Sequence, residues 1–226
     1  MILLDIVTDD RPAQLVEGIR HAGGQAIYRR GNTSVRADID GVLQTGVAKF
    51  GRLDICIGNA GIVRASPILD LTEESWQTQI DVNLTGCFHA GQASARLMKE
   101  AGTGGRIVFI SSWVQDVPSA NIAAYCVSKS GLKMLAKCMA LELGRDRICV
   151  NLVAPGFVDA GLSGRMFQED PGLREKCMRK VPLGYVQSAS DVARAVKLVC
   201  SPGLEYMTGS TLLVDGGNSL FFWDES

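Results

Sequence analysis

Ser112, Tyr125 and Lys129 stand in this chain as a serine, twelve residues, and then Tyr-Cys-Val-Ser-Lys. The three types suit proton transfer at one oxygen: a hydroxyl that donates a hydrogen bond, a phenol that gives or takes a proton, and an ammonium beside the phenol. A free phenol ionises near pH ~10, and a neighbouring positive charge favours its anion. Tyr125 and Lys129 are separated by four positions, so on a helix they share one face.

The elements that must position them can be read from the apolar pattern. Ala123 to Leu143 reads as the helix, with Leu132, Leu135 and Met139 on its apolar side. Ser112 closes an apolar run from Gly105 to Ile110 of strand length, and strand ends in α/β proteins are where reacting groups collect. Upstream, Met1 to Ile6 is a short apolar run that contains Asp5. Asp10 and Pro12 are helix-start signals ahead of Leu15, Val16 and Ile19, and Gly23-Gly24 is a helix stop. Ile39, Leu43, Val47 and Phe50 form a helical stripe before the strand Leu53 to Ile57. Trp76, Ile80, Leu84 and Cys87 form another after Thr72, with Glu73 and Glu74 in its first turn. A strand at Ile148 to Val153, a helix at Ala189 to Cys200 and a strand at Thr211 to Val214 complete the series. Alternating strands and helices predict an α/β fold with a doubly wound, mostly parallel sheet. Asp159 to Gly184, bounded by Pro155 and Pro182, reads as irregular or weakly helical.

Composition bounds the rest. The chain has 226 residues, 46% hydrophobic and 21% charged, with a formal net charge of −1. That length suits one domain spanning 1–226, and the charge excludes nucleic-acid and anionic-membrane surfaces. Met1 to Val7 is too short for a signal peptide or span. The seven cysteines are scattered, odd in number and without a C-x-x-C pair, a pattern of reduced thiols that predicts a cytoplasmic location. Cys126 reads as a packing residue despite its neighbour Tyr125. His21 and His89 have no partners at metal-ligand spacing, so no metal is expected. The terminal cluster Phe221-Phe222-Trp223 reads as a subunit or partner contact.

With these residues in view, the chain resembles the classical short-chain dehydrogenase/reductase family from about Met1 to Gly217. Asn59-Ala60-Gly61 looks like the family's N-N-A-G turn, with Gly58 in place of its first Asn. Asn83 resembles its fourth catalytic residue, Pro155-Gly156 its segment beside the nicotinamide, and Thr208-Gly209 with Val214 to Gly217 its closing strand. The resemblance implies a single Rossmann-like domain, a mobile substrate lid at about 157–187, and a homodimer or homotetramer formed through the helices around Thr72 to Lys99 and Asn121 to Leu143. It implies hydride transfer between a nicotinamide cofactor and a small-molecule carbonyl or secondary alcohol. Tyr125 would be the general acid/base, Ser112 would bond the same oxygen, Lys129 would hold the nicotinamide ribose, and Asn83 would fix a connecting water. Asp5, Asn59, Ala60, Gly61, Tyr125, Lys129, Pro155, Gly156 and Val158 would bind the cofactor. Asp5 after the second strand, followed by Ile6 rather than a basic residue, favours NAD over NADP. Trp113, Phe157, Met166 and Phe167 suggest a partly apolar pocket, which fits ketones, sterols, acyl thioesters or sugars alike.

Several positions depart from the family pattern. Ala160 stands where many members have Thr, Gln115 where they have Gly, and Asn32 where they have Asp. The sequence as given opens at what reads as the family's second strand and holds no T-G-x-x-x-G-x-G turn, so the fold expected of it is N-terminally truncated relative to the family. Such a turn gives a pyrophosphate two or three charge-assisted bonds, roughly 3–9 kcal/mol, so weak cofactor binding is expected. In the family's strand order the first strand lies between the second and fourth, whose edges would then face each other across a gap. The alternative reading is a non-catalytic relative, a subunit or interaction protein that has lost the nucleotide.

Overall fold

A computed structural model describes residues 1–220; the Phe221-Phe222-Trp223 cluster lies outside the described residues. Among the described residues, six strands and eight α-helices follow in the order β1 (Ile2–Asp5), α1 (Arg11–His21), β2 (Ile27–Arg30), α2 (Arg36–Phe50), β3 (Ile55–Gly58), α3 (Glu73–Ile80), α4 (Gly86–Glu100), β4 (Gly105–Ile110), α5 (Ala123–Leu143), β5 (Ile148–Pro155), α6 (Gly161–Glu169), α7 (Pro171–Lys180), α8 (Ala189–Val199) and β6 (Thr211–Val214), with a π-helical turn, Asp81–Thr85, joining α3 to α4. All strand pairs are parallel, as alternating strands and helices require.

The strands form two sheets. β1 pairs with β2, and β3, β4, β5 and β6 form a second sheet in that order. Between them runs a slot of about 960 Å³, lined by every residue of β1 and of β3. Helix α2 spans it. Ile39, Val42 and Leu43 of α2 pack on Ile2 and Leu4 of β1, on Leu53 ahead of β3, and on Ala93 and Leu97 of α4.

β4 and β5 are buried on both faces and therefore carry nearly continuous apolar runs. Ile107 and Phe109 of β4 with Ile148, Val150 and Leu152 of β5 meet Leu132, Ala136 and Met139 of α5 and Met98 of α4 on one side. Val108 and Val153, one residue out of phase, meet Ala195 and Val199 of α8 on the other. Phe109, Met98, Ile107, Leu132, Ile148 and Leu152 are all fully buried, and each contributes about 1.5–3 kcal/mol relative to exposure. Two strands held from both faces give the central platform its rigidity.

Two sequence expectations are refined. The segment Asp159 to Gly184 holds two regular helices, α6 and α7. Asp170 Oδ1 accepts from the Leu173 amide at 3.2 Å, and Pro171 occupies the first turn of α7, a start signal that the scattered glycines obscure. In α3 it is Gln79 that is fully buried, while Trp76 is only partly so. The π-helical turn rotates the face of the helix, so one stripe does not run unbroken from Trp76 to Cys87.

Cys87 lies at 3% exposure between Gly58 and Phe109. Burial pushes its thiol up to about 11. The folded thiol holds its proton more tightly than the unfolded one, so this contribution to stability is complete below pH ~9 and falls as pH rises toward about 11. Chemical denaturation across that interval should show a steeper loss in the native protein than in Cys87→Ala, by on the order of 2 kcal/mol.

Candidate active site

Ser112 stands just past the end of β4. The Ser111 amide still donates to Val153 O at 2.8 Å, extending the β4–β5 ladder by one residue. Ser112 then caps a 3₁₀ turn, Trp113–Gln115, its Oγ accepting from the Val114 amide at 3.4 Å. This fixes a buried hydroxyl at the C-terminal edge of the sheet.

α5 begins at Ala123, so Tyr125 sits in its first turn and Lys129 one turn later. Lys129 is only 3% exposed. Its Nζ lies 5.5 Å from the centroid of the Tyr125 ring and donates to Ile110 O at 2.8 Å. That bond ties α5 to the last residue of β4, two residues before Ser112. The three residues are thus anchored to one strand end.

Asn83 reaches the same place from the π-helical turn. It is fully buried. Its Oδ1 accepts from the Ile62 amide at 2.8 Å, and its Nδ2 donates to Ile62 O at 2.9 Å and to Ser128 Oγ at 3.1 Å. Ser128 Oγ in turn donates to Tyr125 O at 2.7 Å. Asn83 therefore clamps the Asn59-Ala60-Gly61 turn to the helix that carries Tyr125 and Lys129. A Cβ on Gly61 would lie 3.4 Å from Asn83 Oδ1 and 3.7 Å from Lys129 Nζ, so this glycine leaves open the space beside the ammonium.

Pro155 ends β5 in the same layer and Gly156 follows it, its amide donating to Val214 O at 3.0 Å. A Cβ there would meet Asp215 backbone within 2.8 Å, which accounts for glycine. Val158 forms an isolated bridge with Gln187, whose Nε2 donates to Val214 O at 2.8 Å. Asp5 ends β1, on the other sheet; together with Asn59 and Ala60 it lines the slot at its C-terminal mouth. The predicted site residues therefore form two groups. Ser112, Tyr125, Lys129, Asn83 and Gly61 converge, and Asp5 lies across the slot from them.

Gln187 and Ser128 were missed by sequence reasoning. The Ser within Tyr-Cys-Val-Ser-Lys lies at the position that faces Asn83, a spacing that could have found it; Gln187 carries no local signal. Two departures from the family pattern have structural reasons. A Cβ on Gly58 would lie 2.6 Å from the Phe109 ring, and the buried Gln115 side chain donates from Nε2 to Asp116 Oδ2 at 3.1 Å. The expected apolar pocket is narrower than the sequence suggested. Trp113 and Phe157 pair with ring centroids 5.7 Å apart, but Phe167 is buried with Cys177 and Val186 inside the α6–α7 unit.

Residues 1–219 match the family described as enoyl-(acyl carrier protein) reductase. The chain is 36% identical over 208 residues to 3beta-hydroxysteroid dehydrogenase 1 of Eggerthella lenta, covering 92% of this chain and 79% of that one. It superposes on the gluconate 5-dehydrogenase of Burkholderia cenocepacia in complex with NADP and tartrate with a TM-score of 0.89 at 27% identity, covering 98% and 86% of the two chains. For the acetoin dehydrogenase of Enterobacter cloacae the TM-score is 0.85 at 31% identity, with 98% and 87% covered. Nothing among these relatives favours a non-catalytic subunit. A strand-end serine, a buried lysine beside a tyrosine and a clamped Asn-Ala-Gly turn, matched over nearly the whole chain, make this protein a member of the short-chain dehydrogenase/reductase family of nicotinamide-dependent oxidoreductases.

Proposed function

We propose that Tyr125 is the general acid/base in hydride transfer between a nicotinamide cofactor and a carbonyl or secondary alcohol. The observation that carries this reading is the buried Lys129 ammonium beside the Tyr125 ring, bonded to the end of the strand that delivers Ser112. Tyr125 gives its phenolic proton to the substrate oxygen in reduction and takes one in oxidation. Ser112 donates a hydrogen bond to the same oxygen as negative charge develops there. Asn83 holds the Asn59-Ala60-Gly61 turn against α5, and so keeps the floor of the site in register with Tyr125.

The open space beside Gly61 and the close approach at Gly156 fit the flat nicotinamide end of a cofactor. When bound, the cofactor supplies or accepts the hydride. Lys129, Gly61, Pro155, Gly156 and Val158 would hold that end, and Asn59 and Ala60 the segment toward Asp5, which would bond the adenosine ribose. Asp5 favours NAD. A second reading, NADP, is supported by Arg30, which stands opposite Asp5 across the β1–β2 ladder, and by the NADP complex of the gluconate 5-dehydrogenase. α6 and α7 would serve as the substrate lid, hinged where Val158 bridges Gln187. Exposed Phe88 on α4 and Met134 and Leu141 on α5 support self-association through those helices. The unpaired cysteines fit a cytoplasmic location.

Three outcomes follow. Tyr125→Phe should lower turnover by about 10²–10⁴-fold while leaving the melting temperature nearly unchanged; turnover that stays within a few-fold of the parent overturns the assignment. Titration with both reduced cofactors should show tighter binding of NADH, with Asp5→Asn narrowing the difference, whereas tighter NADPH binding supports the Arg30 reading. Sedimentation at micromolar concentration should give at least twice the 24.2 kDa chain mass, and a monomer contradicts the helix interface.

A further inference from the structure

The carbonyl of Val214, the last residue of β6, accepts two hydrogen bonds. The Gly156 amide donates to it at 3.0 Å, and Gln187 Nε2 donates to it at 2.8 Å. Gln187 also reaches back through its own main chain: its amide donates to Phe157 O at 3.2 Å, and its carbonyl accepts from the Asp159 amide at 2.8 Å. The stretch from Gly156 to Asp159 is therefore strapped to one carbonyl at both ends, directly at Gly156 and through Gln187 at Phe157 and Asp159.

Gln187 has a firm seat. Leu183 N donates to Gly216 O at 3.3 Å, and a Cβ on Gly216 would lie 2.7 Å from Val181 and one on Gly217 2.8 Å from Pro182, so the stretch ahead of Gln187 lies flat against the chain that leaves β6. Val214 O can only accept, so the amide nitrogen of Gln187 faces it, and Oε1 is left buried without a partner among the described residues. An apolar side chain would fill the same space without burying an unpaired oxygen. Packing alone gives no reason for an amide here, whereas the donor end does.

The strap sets two things at once. Phe157 O and the Asp159 amide point at Gln187, so the amide and carbonyl of Val158 between them point the other way, and neither bonds to any described residue. The Phe157 ring packs on Trp113, the residue after Ser112, with centroids 5.7 Å apart. The direction of the free main-chain pair at Val158 and the distance of this stretch from the serine are thus fixed together.

We propose that Gln187 is a positioning residue for hydride transfer: its side-chain donation to Val214 O holds Phe157 to Asp159 against the nicotinamide end of the cofactor and keeps the reacting carbon in register with Ser112 and Tyr125. This rests on the oxidoreductase reading above. The charged groups on the same elements are already engaged. Asp215 accepts from the Gly217 and Ser219 amides, Asp159 pairs with Arg174, and Asp191 accepts from the Ser188 amide. The strap works through a neutral donor, and a carboxyl in its place would work only while protonated.

The test compares the full chain with Gln187→Met, which keeps the length and loses the donor, and with Gln187→Glu. By NMR hydrogen exchange, the Asp159 amide should exchange at least about tenfold faster in Gln187→Met, with the Phe109 and Leu152 amides unchanged. At saturating reduced cofactor, with the best ketone of a broad panel, kcat of that variant should fall about 10- to 100-fold while KM for the cofactor stays within about threefold, as a misplaced reacting group requires. Its melting temperature should stay within about 4 °C of the parent. Removal from water raises a carboxyl above its ordinary pKa of ~4.3, so Gln187→Glu should regain turnover as pH falls from about 8 to 5, through an ionisation that the parent and Gln187→Met lack. Unchanged exchange at Asp159, a kcat within about twofold of the parent in Gln187→Met, or a Gln187→Glu profile parallel to that of Gln187→Met each overturns the proposal. A parent protein that turns over no ketone overturns the oxidoreductase reading itself, and it does so without any variant.

Discussion

Lys129 carries an ammonium to a place where 3% of its surface meets solvent, and no carboxylate among the described residues pairs with it. A charge so placed is tolerated only where oriented oxygens and polarisable groups replace water. Ile110 O at 2.8 Å and the Tyr125 ring supply part of that replacement. The remaining donor capacity points toward the space that Gly61 leaves open. On the proposed reading, ligand hydroxyls complete its solvation.

The rest of the architecture follows from holding that charge still. β4 and β5, packed from both faces, fix Ile110, and α5 lies across them through Leu132, Ala136 and Met139. Asn83 closes the third side. It can do so only because the π-helical turn points its amide inward, where all of its bonds go to Ile62 and Ser128. An uninterrupted α-helix from Glu73 to Glu100 would place residue 83 on a different bearing. The irregularity is thus the feature that joins the Asn59-Ala60-Gly61 turn to the tyrosine helix.

Much of this was legible in the residues. The limits of α5 and β6 fall where their apolar stripes begin and end, because each pairs a strong pattern with a clear terminator. β4 was equally clear, as a run buried on both faces has no polar interruption. β2 was not singled out: Ile27 and Tyr28 are followed by Arg29 and Arg30, too short an apolar run to separate from a loop. Helices α6 and α7 are hidden in the sequence by Gly161, Gly164 and Gly172, although Asp170-Pro171 carries a start signal. At the site, the spacing of Tyr125 and Lys129 puts them one turn apart on α5 and Ser112 follows the end of β4, since a helix turn and a strand end are local facts. The place of Gln187 depends on how β6 and the segment after α7 fold back beside β5, which no periodicity encodes. The split into two sheets is likewise non-local. The family resemblance implied facing edges there, and the way α2 spans them emerged only in three dimensions.

The proposed reaction moves hydride directly between nicotinamide and a carbonyl carbon whose oxygen is held by Tyr125 and Ser112. The most direct measurement is the fate of deuterium from NADH or NADPH labelled at the transferable position, followed by mass spectrometry of the alcohol formed from a panel of ketones at saturating cofactor. One deuterium per product molecule, bound to the carbinol carbon and stable to exchange with water, is the expected result. Product that carries solvent hydrogen at that carbon, or a panel on which labelled cofactor is never consumed, would contradict it.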